Sequence, residues 1–473
     1  LILGTNSIKD TGYDVDNSLR FNSGSSDSLS KAFSSHGTRT KWTWSIWFKR
    51  SKLSGSNVLG ACYFNDSNED RLEIDSNGQM IWYSYQSNAY VGRLKTNRKF
   101  RDISCWYHLV LRWDTGDSTA DNRMKIWING VEETSFANRD NPSSDAESLF
   151  NYGDNSQQWV IGHTANVNHW GGYMAEIVFC DNQKLEPTSF GEFNSDSPTI
   201  WQPIDVSGLT FNTNGFYLDF EDSSALGNDV SGNNNDWTSN NFTALDSVSD
   251  TCTNNFCTLN SLDNYFAGST FAEGNCKVTY LSGSGKYGYN TGTIALSSGK
   301  WYHEVKIAQS VGSNYNMFGL EQVVSASASH EFASSSTGYV LNGNNGTVYV
   351  AGSNQAYGSA TAVNNIIGVY VDLDNNKLYF SINGTLQNSG TGISIATVSS
   401  TTNGHYLVIG GDYSSGTVGI HEFNFGGSPP YSISSSVSDD NGYGSFEYSP
   451  NITGDGSAKK FYAICTKNLA EYG

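Results

Sequence analysis

No apolar run in this 473-residue chain approaches the about 18 consecutive residues of a membrane-crossing helix, so membrane insertion is not expected. Proline (7) and methionine (4) are scarce. With an adequate hydrophobic share of 37%, low proline argues against general disorder. Basic residues are outnumbered, 27 against 46 acidic, for a net charge of -19, and the densest basic stretch is the scattered "RLKTNRKFR" of residues 93–101. Such a surface repels phosphate backbones, which excludes nucleic acid as an expected partner. The excess acid favours solubility and suits salty water, where screening removes self-repulsion. No C-x-x-C occurs among Cys62, Cys105, Cys180, Cys252, Cys257, Cys276 and Cys465, and their number is odd. Buried thiols are expected rather than a disulfide framework, with assembly in a reducing cytoplasm. Cys252 and Cys257 are the one pair near enough in sequence to reconsider. The chain starts at Leu1 rather than Met and ends in the half-apolar "KKFYAICTKNLAEYG", so residues before Leu1 and after Gly473 are expected.

Catalytic patterns are missing as well. There is no G-x-S-x-G and no H-E-x-x-H, and "GSGKYG" (283–288) lacks the spacing and the hydroxyl residue of a phosphate loop. A retaining glycanase needs carboxylates on alternate positions of one strand, about 5 Å apart. The nearest candidate is Glu73-Ile74-Asp75, which runs into Asn77-Gly78 and reads as a hairpin tip with two solvated acids. His163 and His169 in "GHTANVNHW" could pair on zinc but fit a polar loop better.

What is abundant points one way. Glycine reaches 49, beside 12 Trp, 27 Tyr and 24 Phe. Aromatic and β-branched residues between frequent Gly/Asn turn signals describe an all-β protein, and the length suits two or three domains. In "KWTWSIWFKR" Trp42, Trp44, Ile46 and Phe48 share one face of an extended chain. "RLEIDSNGQMIWYSY", "CWYHLVLRWD", "MKIWINGVEE" and "WVIGHTANVNHWGGYMAEIVFC" continue at about ten-residue spacing, giving a two-sheet sandwich over residues 1–200. Residues 201–262, with "DFEDSSALGNDVSGNNNDWTSNNF", read as a connector of turns held by Asx hydrogen bonds. A second β block spans 263–431, and 432–473 reads as loose until its last stretch, which adds a strand or short helix. The strand–Asn-Gly–strand hairpin occurs in both blocks, at 124–133 and 377–387, each after a W-Y-H triplet (106–108 and 301–303). The distance from triplet to turn differs, so the blocks share a design without being a tandem repeat.

These words carry a resemblance. "WTWSIWFKR", "WYHLVLRWD", "MKIWINGVEE" and "WGGYMAEIVF" resemble the laminin-G-like, concanavalin-A-like jelly roll. "SSGKWYHEVKI", "VDLDNNKLYFSING" and "FNFGGSPPY" resemble a SPRY domain, with His303 standing where that family usually has an aromatic. The fold expected is therefore two jelly-roll β-sandwiches joined by an Asn/Asp/Ser/Gly-rich connector. The whole chain, with "GFYLDFEDSSALGNDVSGNNNDW" and "FYAICTKNLAEYG", resembles marine bacteriophage virion proteins. That resemblance implies a tail-fibre or surface-fibre protein in the virion, a trimer, bound to other virion proteins and to a host glycan or receptor. Alternatives are a capsid decoration or connector protein that meets only virion subunits, and a polysaccharide depolymerase on the same scaffold. The resemblance also implies a rim calcium, for which Asp219, Glu221, Asp222, Asn228 and Asp229, or Asp114 and Asp117, are candidates; turn-capping is the plainer role for each. For sugar, the loop aromatics Tyr83, Tyr85, Tyr90, Trp170 and Trp237 are candidates, while Trp42, Trp44, Trp106, Trp113 and Trp301 are expected in cores.

Overall fold

In the computed structural model residues 8–263, 269–280, 286–310, 315–324, 335–414, 418–453 and 459–473 are described. They form two units, Thr11–Thr253 and Asn254–Gly473, the latter together with the N-terminal residues up to Asp10. The residues of "GSGKYG" up to 285 lie outside those described.

Unit one runs through β1 (Ser18–Phe21), β2 (Ser28–Lys31), β3 (Lys41–Arg50), β4 (Asn57–Asn65), β5 (Asn68–Ile74), β6 (Gln79–Gln86), β7 (Ala89–Lys99), β8 (Tyr107–Asp114) and β9 (Met124–Ile128). It continues with β10 (Val131–Glu132), β11 (Phe136–Asp140), β12 (Trp159–Ile161), β13 (Gly172–Asp181), β14 (Gly191–Phe193), β15 (Trp201–Pro203), β16 (Phe216–Leu218), β17 (Thr238–Asn240) and β18 (Ser247–Val248). One sheet is ordered β10-β9-β8-β3-β13-β1-β18 with β16 beside β13; the other is β11-β7-β6-β5-β4-β12-β2-β17. All pairings are antiparallel, so each strand alternates between an inner and an outer face. Trp42, Trp44, Ile46 and Phe48 point inward from β3 and meet Leu72, Ile74, Met80, Trp82 and Leu94 of the facing sheet. Two sheets pressed on one aromatic-rich layer are the jelly-roll sandwich expected.

The outer faces differ. That of the β3 sheet is covered by its own chain: Trp47, Trp106 and Tyr173 pack with Val15, Trp201 and Val248, and Val110, Trp127 and Val178 with Phe190, Val206 and Phe211. Residues 201–253 are thus no free connector. β16, β17 and β18 pair with β13, β2 and β1, and Phe216, Leu218 and Trp237 enter the core. The isolated apolar residues between the Asn and Asp runs are what dock it. Its Asx bonds do form: Asp229 accepts the amides of Tyr217 (2.9 Å), Ser231 (3.0 Å) and Asn235 (2.7 Å).

Unit two repeats the plan. One sheet runs Thr270–Ala272, Lys277–Tyr280, Gly419–Asn424, Lys300–Gln309, Ile366–Asp372, Lys377–Ile382, Thr385–Leu386. The other runs Lys286–Leu296, Tyr406–Ser414, Asn316–Glu321, Gly338–Asn342, Thr347–Val350, Ser353–Ala356. Phe256, Cys257 and Leu259, read as the end of the connector, are buried here. The 432–473 segment is bound, not loose. Tyr462–Ala463 pairs in parallel with Lys300–Gln309, and a helix covers Thr466–Tyr472. Buried Glu304 accepts hydrogen bonds from the amides of Glu447 (3.0 Å) and Tyr448 (2.8 Å) and from Tyr302, Tyr431 and Asn424.

The paired hairpins share one turn. Asn129-Gly130 and Asn383-Gly384 have φ of 49° and 76°, and of 48° and 75°, the type I′ corner that matches strand twist. Asn77-Gly78 does not: only Gly78 is left-handed (82°), and its amide bonds Asp75 O at 2.8 Å, making a type I turn closed by a glycine bulge. The histidines of both W-Y-H triplets are buried, and burial pushes His108 and His303 down to about 3. His108 Nδ1 accepts from Trp201 Nε1 (2.9 Å) while Nε2 lies 2.8 Å from Ser45 Oγ. His303 stacks on Phe425 at 5.3 Å, and among the described residues neither ring nitrogen has a hydrogen-bond partner.

His303→Phe should therefore raise stability by about 1–3 kcal/mol, the cost of an unmade buried bond, with the midpoint of urea unfolding as the readout. The pH dependence should also change. His303 and His421 are held at about 3 in the fold against an ordinary 6.5. Between those values the unfolded chain binds more protons, so stability falls as pH falls. Removing His303 should lower that slope by about one proton. Glu304→Ala should cost about 3 kcal/mol or more and expose the amides of residues 447 and 448 to hydrogen exchange; an unchanged midpoint would show that the clamp is not needed.

Candidate functional site

Period-two alternation on β5 sends Leu72 and Ile74 into the core and Glu69, Arg71 and Glu73 to the outer face. Register then builds rows across the sheet. Val160, Ala61, Arg71, Tyr83 and Arg93 are consecutive cross-strand partners, and beside them run Tyr63, Glu69, Tyr85 and Tyr90. Where the other sheet is covered by chain, this one presents a hollow of ≈ 400 Å³ lined by Tyr63, Asp66, Glu69, Arg71, Tyr83, Tyr85, Tyr90 and the Thr164–Val167 loop. A second hollow of ≈ 360 Å³ shares Tyr63, Thr164 and Ala165 and adds Asn155, Gln157 and Gln158.

The hollow is set by aromatic edges and one charge network. Tyr90 meets Tyr83 and Tyr85 edge to face, with ring centroids 5.6 and 5.0 Å apart. Arg71 lies over the Tyr83 ring at 5.1 Å and Arg93 over Tyr90 at 4.1 Å, the latter held by Asp140 (2.8 Å). Tyr83 donates to Glu69 Oε2 (2.7 Å), and Thr164 donates to Glu69 Oε1. Burial holds the Tyr83 phenol well above its usual range, so it stays a donor. Arg71 forms ion pairs with Glu69 (3.7 Å) and Glu73 (3.5 Å) but has no hydrogen bond at Nε. Burial raises the Glu73 carboxyl, with Arg71 opposing.

The structure brings Tyr83, Tyr85 and Tyr90 together and sends the other two aromatics elsewhere. Trp170 is 0% exposed and packs on Phe48; Trp237 is 4% exposed and packs on Trp159 and Phe216. Both are core. Their polar neighbours in sequence suggested loops, but a single Trp in a polar stretch is the anchor that docks it. Trp42, Trp44, Trp113 and Trp301 are fully buried.

Glu73 and Asp75 are not solvated at a hairpin tip. Both are buried, and Asp75 accepts from Lys95 Nζ (2.8 Å) and from the amides of Asn77 and Gln79. Glu69 and Glu73, four residues apart on one strand, are separated by about 13 Å of backbone, beyond a catalytic pair, with Arg71 between.

The calcium candidates are engaged in different ways, and Asp219 accepts the Glu221 amide at 3.3 Å. Asp222 caps Ser224, Asp229 is filled by amides, and Glu221 and Asn228 face outward. Between Asp114 and Asp117 the Lys184 ammonium binds both, at 2.8 and 2.7 Å, where a cation would stand. Among the described residues no three His, Cys, Asp or Glu side chains cluster as a metal requires. His163 and His169 lie with ring centroids 5.0 Å apart, each bonded to the Asn166 backbone.

Comparison with known proteins bears on the two domains. Residues 16–185 match the concanavalin A-like lectin/glucanases superfamily, and residues 300–408 match the SPRY domain. The chain carries a concanavalin-A-like domain and a SPRY domain. No curated protein matches it. Among solved structures, a human SPRY domain is 18% identical, covering 31% of this chain and 90% of its own, with TM-score 0.26. A heptameric pentraxin of Limulus polyphemus is 14% identical over 37% of this chain and 80% of its own, TM-score 0.27. Domain 4 of a Geobacillus stearothermophilus arabinanase, solved with arabinotriose, is 17% identical over 32% and 64%, TM-score 0.24. Likenesses at this level carry no inference about a ligand. The tyrosine hollow belongs to the concanavalin-A-like domain.

Tyr63, Glu69, Arg71 and Arg93 were missed from the sequence. The alternation in "NEDRLEI" was there to place Glu69 and Arg71 on one face, yet only register reveals that the tyrosines of β6 and β7 stand beside them. Trp170→Ala and Trp237→Ala should each cost about 3–5 kcal/mol, whereas Tyr90→Ala at 46% exposure should cost under about 1 kcal/mol in urea unfolding. A large loss at Tyr90 would make the tyrosine cluster structural.

Proposed function

We propose that this chain is an adhesive binding protein whose concanavalin-A-like domain holds a neutral glycan on the outer face of β5–β7. The observation that carries it is the tyrosine trio beside the Arg71–Glu69 pair. Aromatic faces take the C–H side of a sugar, and the arginine–carboxylate pair reads adjacent hydroxyls. Asp66 and Glu69 against Arg71 give the hollow no positive excess, which disfavours acidic glycans. Bond cleavage is not part of the role: the carboxylates on this face are engaged by Tyr83, Thr164 and Lys95 or separated by Arg71.

The finer reading is a phage tail-fibre or surface-fibre protein, trimeric in the particle, with this face turned to the host glycan. Its support is the phrasing of the whole chain, which resembles marine phage virion proteins. Mass spectrometry of whole virions should then find the chain at many copies, and its absence there would end the fibre reading. For the glycan itself, binding to a panel of neutral oligosaccharides should fall at least about tenfold in Tyr90→Ala and in Arg71→Ala, about 1.4 kcal/mol each. Unchanged titrations in both variants would refute the site.

A further inference from the structure

The covered outer face of the β3 sheet hides an ion pair drier than any other described. Lys49 Nζ stands 2.8 Å from Asp250 Oδ2, with the two side chains 1% and 0% exposed. Lys49 projects from β3 and Asp250 follows β18, so 201 residues separate them. The carboxylate is fixed at its other oxygen by Trp106 Nε1, 3.3 Å from Oδ1, and its backbone carbonyl accepts Ser18 Oγ at 2.6 Å. Lys49 lies over the Tyr173 ring at 5.5 Å, within the apolar cluster of Trp47, Trp106 and Tyr173.

Charges in such a place are held against a large desolvation cost, which an uncharged product would remove. Nothing competes as a covalent staple, since all seven cysteines are thiols. The 2.8 Å contact to Oδ2 holds Nζ against the carboxyl group whose carbon it would attack, and such fixed proximity lowers the entropic barrier to bond formation. We propose that Lys49 and Asp250 condense after folding into a side-chain amide cross-link.

The step balances within the pair. The ammonium passes one proton to Oδ2, leaving a neutral amine and a neutral acid. The nitrogen lone pair attacks Cγ, and the N–Cγ bond forms as the charge collects on Oδ1 under the Trp106 N–H. The Cγ–Oδ2 bond then breaks, and Oδ2 leaves as water with a second proton from nitrogen. Oδ1 becomes the amide oxygen. Neither oxidant nor cofactor is involved, so the cross-link forms in a reducing compartment as well as outside it. Its effect is to tie the segment leaving unit one to a central strand, closing a long loop in the unfolded chain. The cross-link is independent of the glycan reading.

The intact mass of the denatured, full-length chain decides. It should be one water lighter than the sequence requires, and peptide mapping should recover one species joining the residue 49 and residue 250 peptides. A full sequence mass for the folded native chain overturns the proposal. Lys49→Arg and Asp250→Ala should restore the full mass. Asp250→Asn should instead lose ammonia, because the amide nitrogen is then the leaving group. A water loss that survives Lys49→Arg belongs to another site and also overturns it. The joined peptide in the native chain is informative even where a variant fails to fold.

Discussion

The period of two in an extended chain is the constraint on which everything else here rests. It gives each strand an inner and an outer row, and the inner rows of both units fill with tryptophan, phenylalanine and branched aliphatics. The outer rows then decide what each face is for. In unit one, one outer row is aromatic and is roofed by the chain's own extended segments. The other is tyrosine, arginine and glutamate, and it forms the hollow. A sandwich with one roofed and one open face leaves only the open one in contact with solvent.

Roofing a sheet with irregular chain creates its own demand, because buried backbone and charge must find partners. The Asn- and Asp-rich composition meets it. Asp229 gathers the amide of Ser231 in its own turn and that of Tyr217 on β16, while the Asn233 and Asn235 side chains both donate to Gly215 O. Arg20 pairs with Asp246 and Lys49 with Asp250, both under the roof. In unit two Glu304 does the same for the C-terminal segment, accepting five hydrogen bonds. Residues that look like linker composition are thereby the mortar of the two units. This is why the segments 201–262 and 432–473 read as connector and loose tail from composition, yet fold against the sheets.

The candidate site was half legible. Tyr83, Tyr85 and Tyr90 could be chosen because they crowd one hairpin. Trp170 and Trp237 share a polar neighbourhood in sequence yet lie in the core, since such a neighbourhood says nothing of what lies across the sandwich. The same alternation governs Glu69, Arg71, Glu73 and Asp75, so alternation alone does not single out the pair that lines the hollow. Of the calcium candidates, Asp222 and Asp229 are bonded within their own turns, Glu221 and Asn228 face outward, and Asp114 and Asp117 are held by Lys184.

Alternation, turn residues and aromatic content were enough to determine an all-β chain of two sandwiches and the inner rows of their strands, because those are local properties of an extended backbone. Local too was the type I′ corner at Asn129-Gly130 and Asn383-Gly384. Pairing register and the choice of which face to cover were decided only in three dimensions, since both depend on residues far apart in the chain. Register across two successive hairpins puts Tyr90 in Glu69's row, and covering the other face brings Lys49 to Asp250 across 201 residues, partners that no short window of sequence contains.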